Sequence, residues 1–306
     1  MLLASGDLSE AIPADVWRGE RRNHIDRVRA FTRDRVARAS VAEPHAVYDF
    51  LFTYYSYRPS HLERWSPGAD VLISNAPGAE IDWVDDTVLT PRGWMIPSSS
   101  FPQHRIGYLT WCIDYLTRIA DRQPNFSCFG LHEWAMVYKS AEVRHSHVAL
   151  RLSQAEIASI VEELGLRCTH YDAYRFFTPE AVPLNRDPLA RETTAAFDQR
   201  ACIHVTMDLY KFAYKISPWC PSSLIADAFL LAADARQVDM RASPYDLSQL
   251  GFEPLRIETI SGRQDYLQEQ RRLSELAAPI RTRLVEVYRA LLEARVDVTS
   301  RLTAGD

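Results

Sequence analysis

Four ionisable residues in the stretch Cys202–Ile216, CIHVTMDLYKFAYKI, recur at helical spacing: His204, Asp208, Lys211 and Lys215. At about 100° per residue they fall within an arc of roughly 60°. Ile203, Val205, Met207, Leu209, Phe212, Ala213, Tyr214 and Ile216 take the rest of the circumference. A surface helix normally carries an apolar stripe on a polar cylinder. This stretch is the inverse, which predicts a mostly buried helix whose ionisable face meets something polar. Two lysines one turn apart repel unless an anion is near or one is neutral. Asp208 supplies one negative charge, and a phosphate or substrate carboxylate would supply another. The plainer alternative is a narrow solvent-facing stripe with Asp208–Lys211 as a surface pair. The β-branched start also leaves a strand open for the first half; His204 and Asp208 would still share a face there, without Lys211.

Three further clusters carry candidate chemistry. In CTHYDAYRFFT (168–178) the alternation predicts a strand, with His170, Asp172 and Tyr174 on one side and Tyr171, Ala173 and Arg175 on the other. A His–Asp pair two apart on a strand suits an imidazole oriented by a carboxylate, and is equally found as a satisfied core pair. In FSCFGLHEWAMVYK (126–139), His132 and Glu133 are adjacent, so a helix can turn only one of them to a site, and Trp134 and Tyr138 offer flat apolar surface. Met136 stands where a zinc-protease HExxH would need its second histidine. His145 and His147 follow Arg144 in a polar loop, where histidines are usually only solvated. In DMRASPYD (239–246), Arg241 with Ser243 and Tyr245 can form an anion or base clamp, although turn chemistry alone accounts for such a string.

The elements expected to position these groups are mostly helical. Residues 15–38 read as a helix with eight arginines, and Arg18, Arg22, Arg29 and Arg33 share one face. Such a stripe can grip phosphates but is more often a solvated face. Helices are further expected over 43–57, 104–121, 131–139, after Ser153, and over 203–216, 222–237 and 263–296. A small antiparallel meander is expected between 69 and 97, and a strand at Pro254–Thr259. The predicted class is α+β, mainly α-helical with a small antiparallel β element. No linker or repeat divides the chain, so 1–306 reads as a single composite domain.

Composition limits the options. With 47% hydrophobic and 25% charged residues over 306 positions, the chain is an ordinary globular sequence rather than a disordered or fibrous one. The net charge of −5 argues against a whole-surface polyanion binder. No apolar run reaches the roughly 18 residues of a membrane span, and the acidic start MLLASGDLSEAIPAD lacks the pattern of a signal peptide. Five cysteines without a CxxC pair fit reduced thiols and a cytoplasmic location. Of 35 basic residues only Lys139, Lys211 and Lys215 are lysine. Chance allows this; alternatively those positions need a compact ammonium whose pKa can be lowered. Glycine-rich nucleotide loops, GxSxG and the deaminase zinc pattern are all absent.

The strings DFLFTYYSYRP (49–59), FGLHEWAMVYK (129–139), CTHYDAYRFFTP (168–179), HVTMDLYKFAYK (204–215) and DMRASPYDL (239–247) resemble a family of actinobacterial proteins of about 300 residues commonly called 3-methyladenine DNA glycosylase. The resemblance runs from about Trp17 to Ala294, and implies DNA repair by release of a nucleobase. The glycine-rich hairpin of helix-hairpin-helix glycosylases is absent, which leaves purine chemistry better supported than DNA. Cleavage of an N-glycosidic bond needs a carboxylate to stabilise an oxocarbenium-like state and a donor to protonate the departing base. Asp208 or Asp172 can be the carboxylate and His204 or His170 the donor. Lys211 can pair with a phosphate or form a Schiff base. Lys215, His132, Glu133, Arg175, Arg241 and Tyr245 are candidate substrate contacts, and Trp134, Tyr54, Tyr55 and Tyr174 candidate stacking faces. The expected substrate is a nucleic acid or nucleoside, with no cofactor and no membrane partner. The rival is a non-haem metal enzyme with His170, Asp172, His204 and Asp208 as ligands. A non-catalytic nucleic-acid-binding module using the arginine helix ranks last, because it leaves 203–216 unexplained.

Overall fold

The computed structural model describes residues 10–78, 81–140 and 147–303, with the side chains of 296–303 excepted. Arg144, His145 and most of the N-terminal segment read above lie outside the described residues. The chain is mainly helical: α1 (Ala14–Ser40), the single turns α2 (Phe50–Thr53) and α3 (Pro59–Leu62), α4 (Ile106–Asp121), α5 (Leu131–Ala135), α6 (Gln154–Leu164), the turns α7 (Tyr171–Tyr174) and α8 (Thr194–Phe197), α9 (Ile203–Lys215), α10 (Ser222–Arg241) and α11 (Ile260–Thr303). Its sheet is one antiparallel hairpin, β1 (Val88–Thr90) with β2 (Gly93–Met95), Leu89 opposite Trp94. No helix among the described residues is long and apolar enough to cross a membrane.

The long helices follow their patterns. In α1 the buried residues are Trp17, His24, Val28 and Thr32, one narrow stripe on an otherwise polar cylinder. In α4, Leu109, Cys112, Leu116 and Ile119 repeat at three and four residues and are buried with Tyr115. α6 opens on a capping box: Ser153 Oγ accepts from the Glu156 N–H, and Glu156 Oε2 accepts from the Ser153 N–H at 2.8 Å. α10 is buried nearly all round, and Ala226, Ala228, Ala232, Ala233 and Ala235 let neighbouring backbones come close. It pairs most extensively with α9, while α11 packs across α4, α9 and α10. Trp17, Trp65, Ile73 and Ala76 form a smaller apolar cluster beneath the hairpin. Gly93 is required there: at φ +144° a Cβ would stand 2.1 Å from the Ile73 carbonyl oxygen.

Five expected elements differ, one of them the 131–139 helix, which ends at Ala135 before a turn that closes on Lys139 at φ +51°. The 43–57 helix shrinks to α2, because His45 Nδ1 accepts from the Val47 and Tyr48 N–H groups in a preceding turn and Ser56 (φ +55°) ends the run. The 69–97 meander reduces to the hairpin plus isolated bridges at Ala69 and Ile73. Residues 254–259 alternate in burial, with Leu255 and Ile257 inward, yet no neighbouring segment supplies a ladder and they remain loop. Residues 171–174 close a helical turn rather than a strand, which rearranges the side chains of that cluster.

Candidate active site

The polarity of α9 is as its sequence implies. Asp208 is only 3% exposed, yet bears a carboxylate. The Tyr55 hydroxyl donates to its Oδ1 at 3.2 Å, and Lys211 Nζ donates to its Oδ2 from one turn on. Burial, and then the Asp208 charge, push the Tyr55 phenol well up, so it stays a donor. His204 stands one turn before Asp208 on the same face.

Three histidines from separate elements meet around His204. The His132 ring of α5 lies edge-on to it with centroids 4.3 Å apart, and the His170 ring, just before α7, is parallel at 5.4 Å. Each outer histidine has its own carboxylate. His132 Nε2 is 2.7 Å from Asp239 Oδ1, and Arg236 Nη1 bonds both Asp239 Oδ2 (2.6 Å) and Glu133 Oε1 (2.7 Å). His170 Nδ1 is 3.0 Å from Asp198 Oδ1, whose Oδ2 accepts from the Tyr115 hydroxyl at 2.5 Å. Burial opposes the charged form of His132, but the charge of Asp239, the bond to it and the Cys128 thiol together outweigh burial and raise it to about 10. Burial likewise opposes charge on His170, and Asp198 overrides it, so that pKa is raised too. His204 is pushed well below the ordinary imidazole value by burial first and the His132 charge second. The trio therefore alternates: an imidazole pushed toward its neutral form stands between two pushed toward their charged forms.

His170, His204, Asp208, Glu133 and Arg236 line a narrow slot of about 30 Å³, room for one water, with Phe50, Tyr54, Tyr55 and Phe176. Glu133 Oε2, a buried carboxylate oxygen of the slot's lining, has no hydrogen-bond partner. A cleft of about 1050 Å³ shares Phe50, Tyr54, Tyr55 and Asp172 with the slot and widens over Lys211, Lys215, Arg175, Arg191, Arg35 and Arg38. The Phe50 and Tyr54 rings stack at 4.8 Å.

Of the residues expected at a site, His132, Glu133, His170, Asp172, His204, Asp208, Lys211, Lys215, Arg175, Tyr54 and Tyr55 line the slot, the cleft or the histidine row. His132 and Glu133 both join one network although they are neighbours, because Arg236 and Asp239 of α10 are one turn apart and receive one each. Five residues are elsewhere. Trp134 is fully buried with its indole N–H on the Ala242 carbonyl, so it is core and stacks on nothing in the cleft. Tyr174 turns away because a helical turn groups Asp172 with Arg175 and Phe176, and packs on Phe177 instead. Arg241 is half-buried with its Nε on the Glu253 carbonyl, and Tyr245 is buried; neither lines the cleft. Lys139 pairs with Glu162 outside it. Sequence reasoning missed Asp198, Tyr115, Arg236 and Asp239. The last two carried a readable signal, a charged pair one turn apart within an alanine-rich apolar helix, whereas Asp198 carried none.

The expected metal set does not converge: Asp172 pairs with Arg175 at 3.1 Å and Asp208 with Lys211. Among the described residues, one His/Cys/Asp/Glu group brings its ligand atoms within 4.8 Å of one another, His132, His204 and Asp239. Its donor set suits a transition metal. Its charge does not: Asp239 already answers His132 and Arg236, and Arg236⁺, Asp239⁻, Glu133⁻ and protonated His132⁺ sum to zero. A divalent ion would displace that proton and leave a surplus positive charge beside Arg236.

No family model, no curated protein and no solved structure matches this chain.

Proposed function

We propose that the protein is a hydrolase of N-glycosidic bonds acting on a purine-type nucleoside unit. The observation that carries this reading is the placement of a buried carboxylate, Asp208, and a neutral imidazole, His204, one turn apart at the junction of a water-sized slot and an aromatic cleft. In this reading the base rests against the Phe50–Tyr54 pair and C1′ of the sugar lies over Asp208. Water in the slot, held by the free Glu133 Oε2, gives a proton to His204 as its oxygen bonds to C1′. The C1′–N bond breaks with its electron pair leaving on the base, which takes a proton from His170. Asp208 stabilises the positive charge that develops on the sugar, and Tyr55 and Lys211 hold it in place. Proton exchange with solvent then resets both imidazoles.

The test is free base released from purine nucleosides, their monophosphates and alkylated oligonucleotides, followed by chromatography. Asp208→Asn is expected to lower release by about 10²-fold or more, the usual loss for a group that stabilises transition-state charge, with an unchanged circular-dichroism spectrum. A second reading, a metal-dependent enzyme, is supported by the convergence of His132, His204 and Asp239. Elemental mass spectrometry on protein never exposed to chelator separates the two. Near-stoichiometric metal lost on Asp239→Asn would replace the acid–base reading.

A further inference from the structure

Six lysines and arginines line the open cleft, and four of them share three carboxylates. Asp49 answers Arg35 (3.5 Å) and Arg38 (2.8 Å), Asp172 answers Arg175 (3.1 Å), and Asp208 answers Lys211. Lys215 and Arg191 have no carboxylate partner among the described residues, and both are exposed. Glu43, a lining carboxylate with no ion pair, belongs to the α1–α2 connection rather than to α9. Although the residue as a whole is exposed, partial burial of its ammonium first and the neighbouring Lys211 second push the Lys215 pKa down. The negative end of α9 does not oppose an anion there, because Arg105 Nη2 takes the Lys215 carbonyl.

We infer that Lys215 and Arg191 receive a single phosphate dianion, so that the substrate is a nucleoside monophosphate rather than a polynucleotide. With Glu43 counted beside Asp49, Asp172 and Asp208, six cations face four carboxylates, and the surplus of two positive charges matches one phosphate. A strand would place several phosphates against a chain of net charge −5, in a cleft whose other cations are already paired. A volume near 1050 Å³ lies just above the roughly 300–1,000 Å³ of small-molecule sites. The identity of the base rests on the N-glycosidic reading above; the phosphate seat does not.

The test is calorimetric titration of the wild-type protein with ribose 5-phosphate and with ribose, neither of which has an N-glycosidic bond to cleave. Ribose 5-phosphate is expected to bind at least 10-fold more tightly, and Lys215→Gln and Arg191→Gln each to remove most of that margin. Equal binding, or a margin that survives both substitutions, overturns the inference. So does a 20-nucleotide single strand that binds more tightly still, with a log–log salt slope of several phosphates at about −0.7 each. Comparison of turnover separates the two proposals. Phosphate-dependent binding without base release from any monophosphate removes the N-glycosidic reading and leaves the phosphate seat. Base release from nucleosides as fast as from monophosphates does the reverse.

Discussion

Replacing His132 by asparagine removes a buried proton whose energetic weight follows from its surroundings. The ring is 1% exposed, 2.7 Å from Asp239, and its pKa is raised from the ordinary 6.5 to about 10. At 1.36 kcal/mol per pKa unit the difference is worth about 5 kcal/mol. The sign is fixed by the direction: the native state binds the proton more tightly than the unfolded chain. The contribution is therefore present in full below about pH 6.5 and lost as pH rises through about 10. Over that interval wild-type stability should fall by about 1.4 kcal/mol per pH unit through this group. Urea denaturation at intervals from pH 6 to pH 10.5, on wild type and His132→Asn, isolates it, since tyrosine, lysine and His170 terms largely cancel in the difference. The stability gap should be widest at pH 6 and shrink by several kcal/mol toward pH 10.5. A gap constant within about 1 kcal/mol would refute the reasoning, because His132 would then be a neutral donor and the buried network would carry an uncompensated negative charge.

Other consequences concern single positions. Because His204 is held well below the ordinary value, its deprotonated form persists in mild acid, and the acid limb of kcat/KM for base release should lie well below the 6.5 of an ordinary imidazole; a limb at 6.5 or above would exclude His204 as the base. Gly93→Ala forces a Cβ into the Ile73 carbonyl and should cost more than about 2 kcal/mol by denaturation, with a wild-type midpoint counting against the described hairpin. Arg281 is 3% exposed, its Nε and Nη2 have no partner, and burial lowers its pKa to about 10. Arg281→Met should therefore leave stability unchanged or raise it by about 1–3 kcal/mol in thermal unfolding, and a clear loss would mean the guanidinium has an acceptor.

What the sequence disclosed and what it hid divide along physical lines. α9 was legible because local periodicity and polarity were both extreme: a narrow ionisable face on an apolar helix has few places to go but a buried site. The helices α4 and α6 were legible from similarly local patterns. The 168–178 turn was misread as a strand because four residues of alternation cannot separate a single helical turn from an extended segment. Residues 254–259 show the converse: their alternation of burial is real, but strand formation needs a partner that the tertiary arrangement does not supply. The carboxylates that set the histidine charges come from 28 and 107 residues away, Asp198 to His170 and Asp239 to His132, and no local pattern encodes such pairings. Trp134 offered a stacking face and Tyr245 a clamp by residue type alone; burial in the core removed both.

The central claim, that Asp208 and His204 support cleavage of an N-glycosidic bond, is tested most directly by chromatographic assay of free purine released by wild-type protein and by Asp208→Asn. The account predicts release from at least one member of the panel of purine nucleosides, monophosphates and alkylated oligonucleotides, reduced about 10²-fold or more in the variant. Release from no member, or equal release by the two proteins, contradicts it.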